Sequence, residues 1–249
     1  MILLATIYFA ALVEGGTILH GRIIGGSEAD IKDYPYQVSL QMLDRHSCGG
    51  SILTKNKVLS AAHCNQGTKY NYSIRAGSSV RDAGGVVIKI ESLHSHPEYD
   101  ARHTNNDIAI ATLSNALEFG IGIQPIKLIE PGAMVIDGTR GNATGWGRTS
   151  DNGPLSEHLK VATFSKISDD LCHESYSIGF NESTMMCFGG KIGEDTCSSD
   201  SGGPLVVNEG EEKIQVGIVS FGMTCGSTAV GGVYVKVSRY GQFIKKHLS

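Results

Sequence analysis

Short runs of Val, Ile and Leu, broken every few residues by Gly, Asn, Asp and Ser, recur along this chain and constrain its fold more than any other feature. The clearest runs span 37–43, 57–61, 85–90, 108–113, 160–164, 205–207, 214–221 and 232–237. Runs too short for helices, separated by turn-forming residues, predict an all-β sandwich or barrel. Long helical patterns do not alternate with them, which argues against a parallel α/β sheet. Two helices are expected. Ser168, followed by Asp169 and Asp170, reads as an N-cap with acidic residues in the first turn, opening a short helix to about Tyr176. At the C-terminus, 238–248 sets Val237, Tyr240, Ile244 and Leu248 at helical spacing, with Lys245 and Lys246 favouring its C-terminal end. The irregular stretch 118–125 is the best internal boundary, and similar strand counts on either side permit two barrels of like size.

With 249 residues, 41% of them hydrophobic, the chain can bury a proper core and is not of disordered composition. Its formal net charge of −4 argues against nucleic acid or an anionic membrane as a partner. The first thirteen residues, MILLATIYFAALV, carry no charged side chain but are too few to span a bilayer. They read as a secretory signal peptide, 1–15, with cleavage after Gly15. Six cysteines, an even number, suit the oxidising compartment that this implies. Arg22 followed by IIGGSEA (23–29) reads as a processing site, which makes 16–22 a propeptide.

Three segments carry chemistry together. LSAAHC (59–64) sets His63 at the end of an apolar strand, and NNDIAI (105–110) sets Asp107 at the entrance to another. CSSDSGGPL (197–205) is a glycine-rich turn that bears Ser201 just before a strand. A serine hydroxyl is a poor nucleophile at neutral pH and needs a neighbouring base. An imidazole, with an ordinary pKa of about 6.5, suits that role. A carboxylate then fixes its tautomer and stabilises the imidazolium.

Taken jointly, these segments resemble the trypsin/chymotrypsin-like serine proteases, over the chain from Ile23 to its end. The order His63, Asp107, Ser201 is that family's order. GWG (145–147) and GGVYVKV (231–237) are similar to its other landmarks. The resemblance implies two antiparallel six-stranded β-barrels, about 23–122 and 123–237, followed by a C-terminal helix at 238–248. It also implies that Ser201 attacks the scissile carbonyl, with His63 as base and Asp107 orienting it. Backbone N–H groups of Ser199 and Ser201 then form the oxyanion hole, at about 2.7–4 kcal/mol per donor. Cutting after Arg22 frees the α-amino group of Ile23 to pair with Asp200, a carboxylate too costly to bury alone. His46, just before a turn at Cys48-Gly49-Gly50, matches a position that pairs with this aspartate in some zymogens.

Asp195, six residues before Ser201, matches the carboxylate at the floor of a trypsin-like pocket. Thr196 beside it adds a hydroxyl, Gly222 and Gly232 match the pocket walls, and Ser220 and Phe221 border the site. Cleavage after Arg or Lys follows. Six cysteines allow fifteen pairings, and the resemblance selects Cys48 with Cys64, Cys172 with Cys187, and Cys197 with Cys225. The implied protein is a secreted, extracellular monomer. It acts on protein or peptide substrates, is open to protein protease inhibitors, and needs no cofactor.

The chain departs from the pattern at Ser199, where the family has glycine, and at Phe221, where it mostly has Trp. Ser199 sustains an alternative reading, a catalytically weak homologue that binds substrates or inhibitors. The segment AGSSVRDAGG (76–85), where calcium-binding relatives place acidic ligands, offers only Asp82, so no calcium is expected. His94 and His96 lack a third ligand for zinc. Sequons stand at Asn71, Asn142 and Asn181, the second beside the GWG strand.

Overall fold

The computed structural model describes residues 26–66, 72–150, 152–189, 196, 198–222 and 230–248. The chain folds into two closed six-stranded antiparallel β-barrels. The first is built from β2 (Gln37–Met42), β3 (Arg45–Thr54), β4 (Lys57–Ser60), β5 (Tyr72–Ala76), β6 (Val86–Ser95) and β7 (Ala109–Leu113), closed in the order β2-β3-β4-β7-β6-β5. The second uses β9 (Arg140–Gly145), β10 (Lys160–Lys166), β11 (Met185–Gly189), β12 (Pro204–Glu209), β13 (Glu212–Phe221) and β14 (Gly232–Lys236). Pairing of β9 with both β10 and β12 closes it. Two short strands add to it, β1 (Ser27–Glu28) on β10 and β8 (Lys127–Leu128) on β13.

The expected runs fall on strands, with three instructive differences. Leu43 is not in β2. It and Asp44 have φ of 53° and 61°, forming the tight turn that joins β2 to β3. Gly85 likewise leaves β6 for a turn with φ 61°. The Cys48-Gly49-Gly50 sequence, expected as a turn, lies inside the ten-residue strand β3. Its glycines serve close approach: a Cβ on Gly49 would stand 2.8 Å from the Cα of Gly203.

Ser168 caps α1 (Asp169–Tyr176), its hydroxyl accepting from the Leu171 N–H at 3.3 Å. The C-terminal helix α2 (Gly241–Leu248) begins three residues later than expected, after a 3-10 turn at Val237–Arg239. Tyr240, Phe243 and Ile244 pack into the same apolar cluster as Ile90, Ile108 and Ile110. The end of the chain thus clamps the first barrel. Among the described residues, no helix is long and apolar enough to cross a membrane.

Candidate active site

The imidazole of His63 sits on a single 3-10 turn, Ala62–Cys64, directly after β4. Asp107 lies just ahead of β7 and is completely buried. Two hydrogen bonds join them: the His63 backbone N–H to Oδ1 at 2.8 Å, and Nδ1 to Oδ2 at 2.7 Å. The Ser220 hydroxyl donates to the same Oδ2 at 2.5 Å. A buried carboxylate only accepts, so Nδ1 carries the proton and a neutral ring keeps its lone pair on Nε2. Asp107 is itself held by its neighbours in sequence. Asn106, at φ 56°, accepts from the Tyr240 hydroxyl at 3.0 Å and donates to the Glu98 carbonyl at 2.9 Å. Asn105 accepts from the Thr184 hydroxyl at 2.7 Å, tying this loop to the second barrel.

Ser201 arrives from the second barrel on the turn before β12. Its carbonyl oxygen accepts from the Gly49 N–H at 2.8 Å and lies 3.7 Å from the sulfur of Cys64, the residue after His63. No hydrogen bond joins the Ser201 hydroxyl to the imidazole among the described residues. The next residue, Gly202, has φ 79°, and a Cβ there would collide with the Ser60 hydroxyl and come within 2.7 Å of the Gly49 carbonyl. Only glycine fits so close an approach of two backbones.

Asp200 is 1% exposed. Its Oδ1 accepts from the Gly147 N–H at 2.8 Å, and a Cβ on Gly145 or Gly147 would collide with the carboxylate. This explains the GWG sequence. The glycines wrap the carboxylate, while Trp146 is buried and donates from Nε1 to the Ser79 carbonyl at 3.0 Å. His46 is not paired with this aspartate. Its Nδ1 faces the Ser39 hydroxyl at 2.8 Å and its Nε2 faces the Ser199 carbonyl at 3.0 Å. Burial holds its pKa down at about 4, so the ring is neutral.

Of the expected specificity residues, Gly222 and Gly232 face one another across 3.8 Å, measured from a Cβ built on the first to the Cα of the second. Phe221 packs edge-on against Tyr176 at 5.8 Å between centroids, and the Tyr176 hydroxyl donates to the Gly231 carbonyl. Thr196 is buried with its hydroxyl 3.4 Å from that of Tyr234. The hydroxyl of Ser220 is committed to Asp107. Arg22, Ile23, Asp195 and the Cys197/Cys225 pair lie outside the described residues. Disulfides join Cys48 to Cys64 and Cys172 to Cys187.

The atoms of Cys48, His63 and Cys64 crowd together, but both sulfurs are used in the disulfide and offer no thiolate to a metal. Asp82 accepts twice from the Arg81 guanidinium, at 2.9 and 2.6 Å. The rings of His94 and His247 lie 5.2 Å apart, and His96 packs between Tyr240 and Phe243. Asn142 accepts from the Thr163 hydroxyl at 2.8 Å within the sheet. Asn181 accepts from the Ser183 N–H and hydroxyl, and Asn71 lies outside the described residues. Sequence reasoning missed the Ser39–His46–Ser199 chain of contacts and the Tyr240–Asn106 bond. Both join residues far apart in sequence, and no local pattern marks them.

A hydrogen-bonded His–Asp pair at the meeting of two antiparallel barrels, with a serine on a glycine turn beside it, points to a class, the chymotrypsin-fold serine peptidases. The family model described as Trypsin matches residues 23–244. The chain is 37% identical to Trypsin 5G1 of Aedes aegypti, covering 91% of this chain and 85% of that protein. Identity to Trypsin alpha of Drosophila melanogaster is 37%, covering 90% and 89%. With the Vitellin-degrading protease of Bombyx mori it is 35%, covering 92% and 86%. The chain belongs to the trypsin family and is a trypsin-like serine endopeptidase.

Proposed function

We propose that this peptidase is made as a secreted zymogen and, once cut after Arg22, cleaves peptide bonds that follow Arg or Lys. The observation that carries the catalytic roles is the buried Asp107, which accepts from both N–H groups of His63 and from Ser220. A ring pinned with its proton on Nδ1 has one task left for Nε2. As the Ser201 oxygen bonds to the scissile carbonyl carbon, Nε2 takes the hydroxyl proton. The carbonyl π electrons move to oxygen, and the Ser199 and Ser201 N–H groups stabilise the resulting oxyanion. The C–N bond then breaks and Nε2 passes its proton to the leaving amine, leaving an acyl-enzyme. Water repeats the sequence to release the acid and restore Ser201.

The substrate preference rests on Asp195, placed by sequence register at the pocket floor, with Thr196 beside it. Glycines at 222 and 232 leave room for a long cationic side chain. A carboxylate in such a pocket favours a guanidinium or ammonium, because burying it unpaired is costly. Maturation follows the same logic: the α-amino group of Ile23 joins Asp200 in the wrap formed by Gly145 and Gly147. The mature domain then runs from Ile23, works as an extracellular monomer, and takes protein substrates or protein inhibitors in the cleft.

The test is active-site titration of the protein after cleavage at Arg22, using an arginine-directed covalent serine reagent, with hydrolysis of Arg, Lys and uncharged anilides. A stoichiometric burst, label on Ser201 and turnover confined to the cationic substrates are expected. Absence of both burst and label would defeat the catalytic assignment. Turnover of uncharged substrates would defeat the pocket assignment alone.

A further inference from the structure

Ser199 carries one of the two proposed oxyanion donors and adopts φ 75°. An L-residue with a Cβ is penalised in this left-handed region, whereas glycine enters it freely. For a serine, the competing state is a flipped turn in which φ becomes negative and the N–H swings away from the substrate. What opposes that flip is visible on both flanking peptides. The Ser198 carbonyl, on the peptide that carries the Ser199 N–H, accepts from the Arg148 N–H at 2.9 Å. The Ser199 carbonyl, on the following peptide, faces His46 Nε2 at 3.0 Å.

The polarity of that second anchor is fixed by chemistry. A carbonyl only accepts, so Nε2 must bear the proton. Nδ1 of a neutral ring is then an acceptor, and the Ser39 hydroxyl donates a hydrogen bond to it at 2.8 Å. The ring is 8% exposed and packs edge-on against Trp146 at 5.9 Å, so it has little room to turn. Ser39 and His46 lie on β2 and β3 of the first barrel, and Ser199 comes from the second.

Resting on the catalytic reading above, we infer that His46, oriented by Ser39, is a positioning residue that keeps the oxyanion hole formed against the preference of Ser199 for negative φ. It touches neither substrate nor reacting atoms. It acts through the Ser199 peptide, and the serine makes the hole depend on it in a way a glycine would not. Loss of the clamp should therefore lower the rate of the chemical step and leave ground-state binding alone, because the oxyanion exists only in the transition state.

The experiment is a double-mutant cycle on the activated enzyme, crossing His46→Phe with Ser199→Gly and reading kcat and KM on an arginine anilide. Affinity for a small aryl amidine that fills only the pocket is measured alongside. With Ser199 present, His46→Phe should cut kcat about tenfold and change KM and amidine affinity less than about twofold, the signature of an interaction made only in the transition state. In the Ser199→Gly background the same substitution should cost no more than about threefold, the difference being the coupling between the two sites. His46→Gln, which keeps a donor toward the Ser199 carbonyl, should restore most of the rate. Ser39→Ala, which removes the hydroxyl that sets the tautomer without opening a cavity, should show part of the loss and keeps the test intact if His46→Phe does not fold. Equal costs in both backgrounds, or a fall in kcat matched by a fall in amidine affinity, would overturn the inference. A wild-type enzyme without a titratable burst would instead overturn the catalytic assignment on which it rests.

Discussion

At the scale of single residues, the site is a set of donors arranged around one buried acceptor. Asp107 has no solvent contact, and its two oxygens receive the His63 N–H, the His63 ring and the Ser220 hydroxyl. Each charge-assisted bond contributes more than a neutral one. Removing one donor of the three leaves the carboxylate partly unsatisfied but not alone. Ser220→Ala should therefore lower kcat about 5- to 30-fold, the equivalent of about 1–2 kcal/mol, with KM nearly unchanged. Steady-state kinetics on an arginine anilide checks this, and an unaltered kcat would show that the two His63 bonds suffice. His63, Asp107 and Ser201 stand out as candidates because each lies in a short motif of fixed order, and the structure joins the first two by hydrogen bonds. The donor from Ser220 to Asp107 was half legible, since its position matched but the contact joins β13 to a residue 113 positions earlier in the chain.

At the scale of elements, strands were legible where Val and Ile runs are dense, as at 214–221, and hidden where glycine interrupts them. β3 contains Gly49 and Gly50, which locally signal a turn, yet pairing on both sides with β2 and β4 keeps it extended. The strand's reason for glycine is the turn bearing Ser201 to Gly203 that lies against it. β5 and β11 gave too little periodicity to be found. Helix α1 was found because its start is written locally: a serine cap followed by two aspartates. The start of α2 was placed early, because helical spacing does not separate a 3-10 turn from an α-helix. The bridge Cys48–Cys64 links β3 to the turn that bears His63 across a separation of 16 residues. A loop of that size is expected to contribute about 3 kcal/mol. Replacing both cysteines by serine in a Ser201→Ala background should lower the unfolding free energy from urea titration by a corresponding amount, with a steeper slope because the unfolded chain loses its cross-link. A loss below about 1 kcal/mol would mean that strand pairing alone holds the turn.

At the scale of the whole molecule, the seam between the barrels joins polar groups from both. Ser51 donates to Gln215 at 2.6 Å, Thr144 donates to Gln37 at 2.6 Å, and His46 reaches Ser199 across the same seam. His46 also ties stability to pH. Its pKa is held at about 4 by burial, below the 6.5 of the unfolded chain, so the unfolded state binds the extra proton between those values. Stability from this group is complete above pH 6.5, falls as the pH drops toward 4, and levels off below. The total is roughly 3 kcal/mol. Urea unfolding of the Ser201→Ala protein and of the same protein carrying His46→Phe, from pH 4 to 7, isolates the effect from the carboxylates. The difference between the two should shrink as the pH falls, and a constant difference would show that the ring takes up its proton while folded. The sequence by itself determined the strand-rich class and the family and singled out candidate site residues, because short-range patterns of hydrophobicity, turn residues and motif order are written along the chain. Tertiary structure alone decided which carbonyl His46 faces, why Gly49, Gly145 and Gly147 lack side chains, and that Ser199 sits at positive φ. Those depend on backbones from two barrels meeting within a few ångströms, and no local sequence pattern encodes such a meeting.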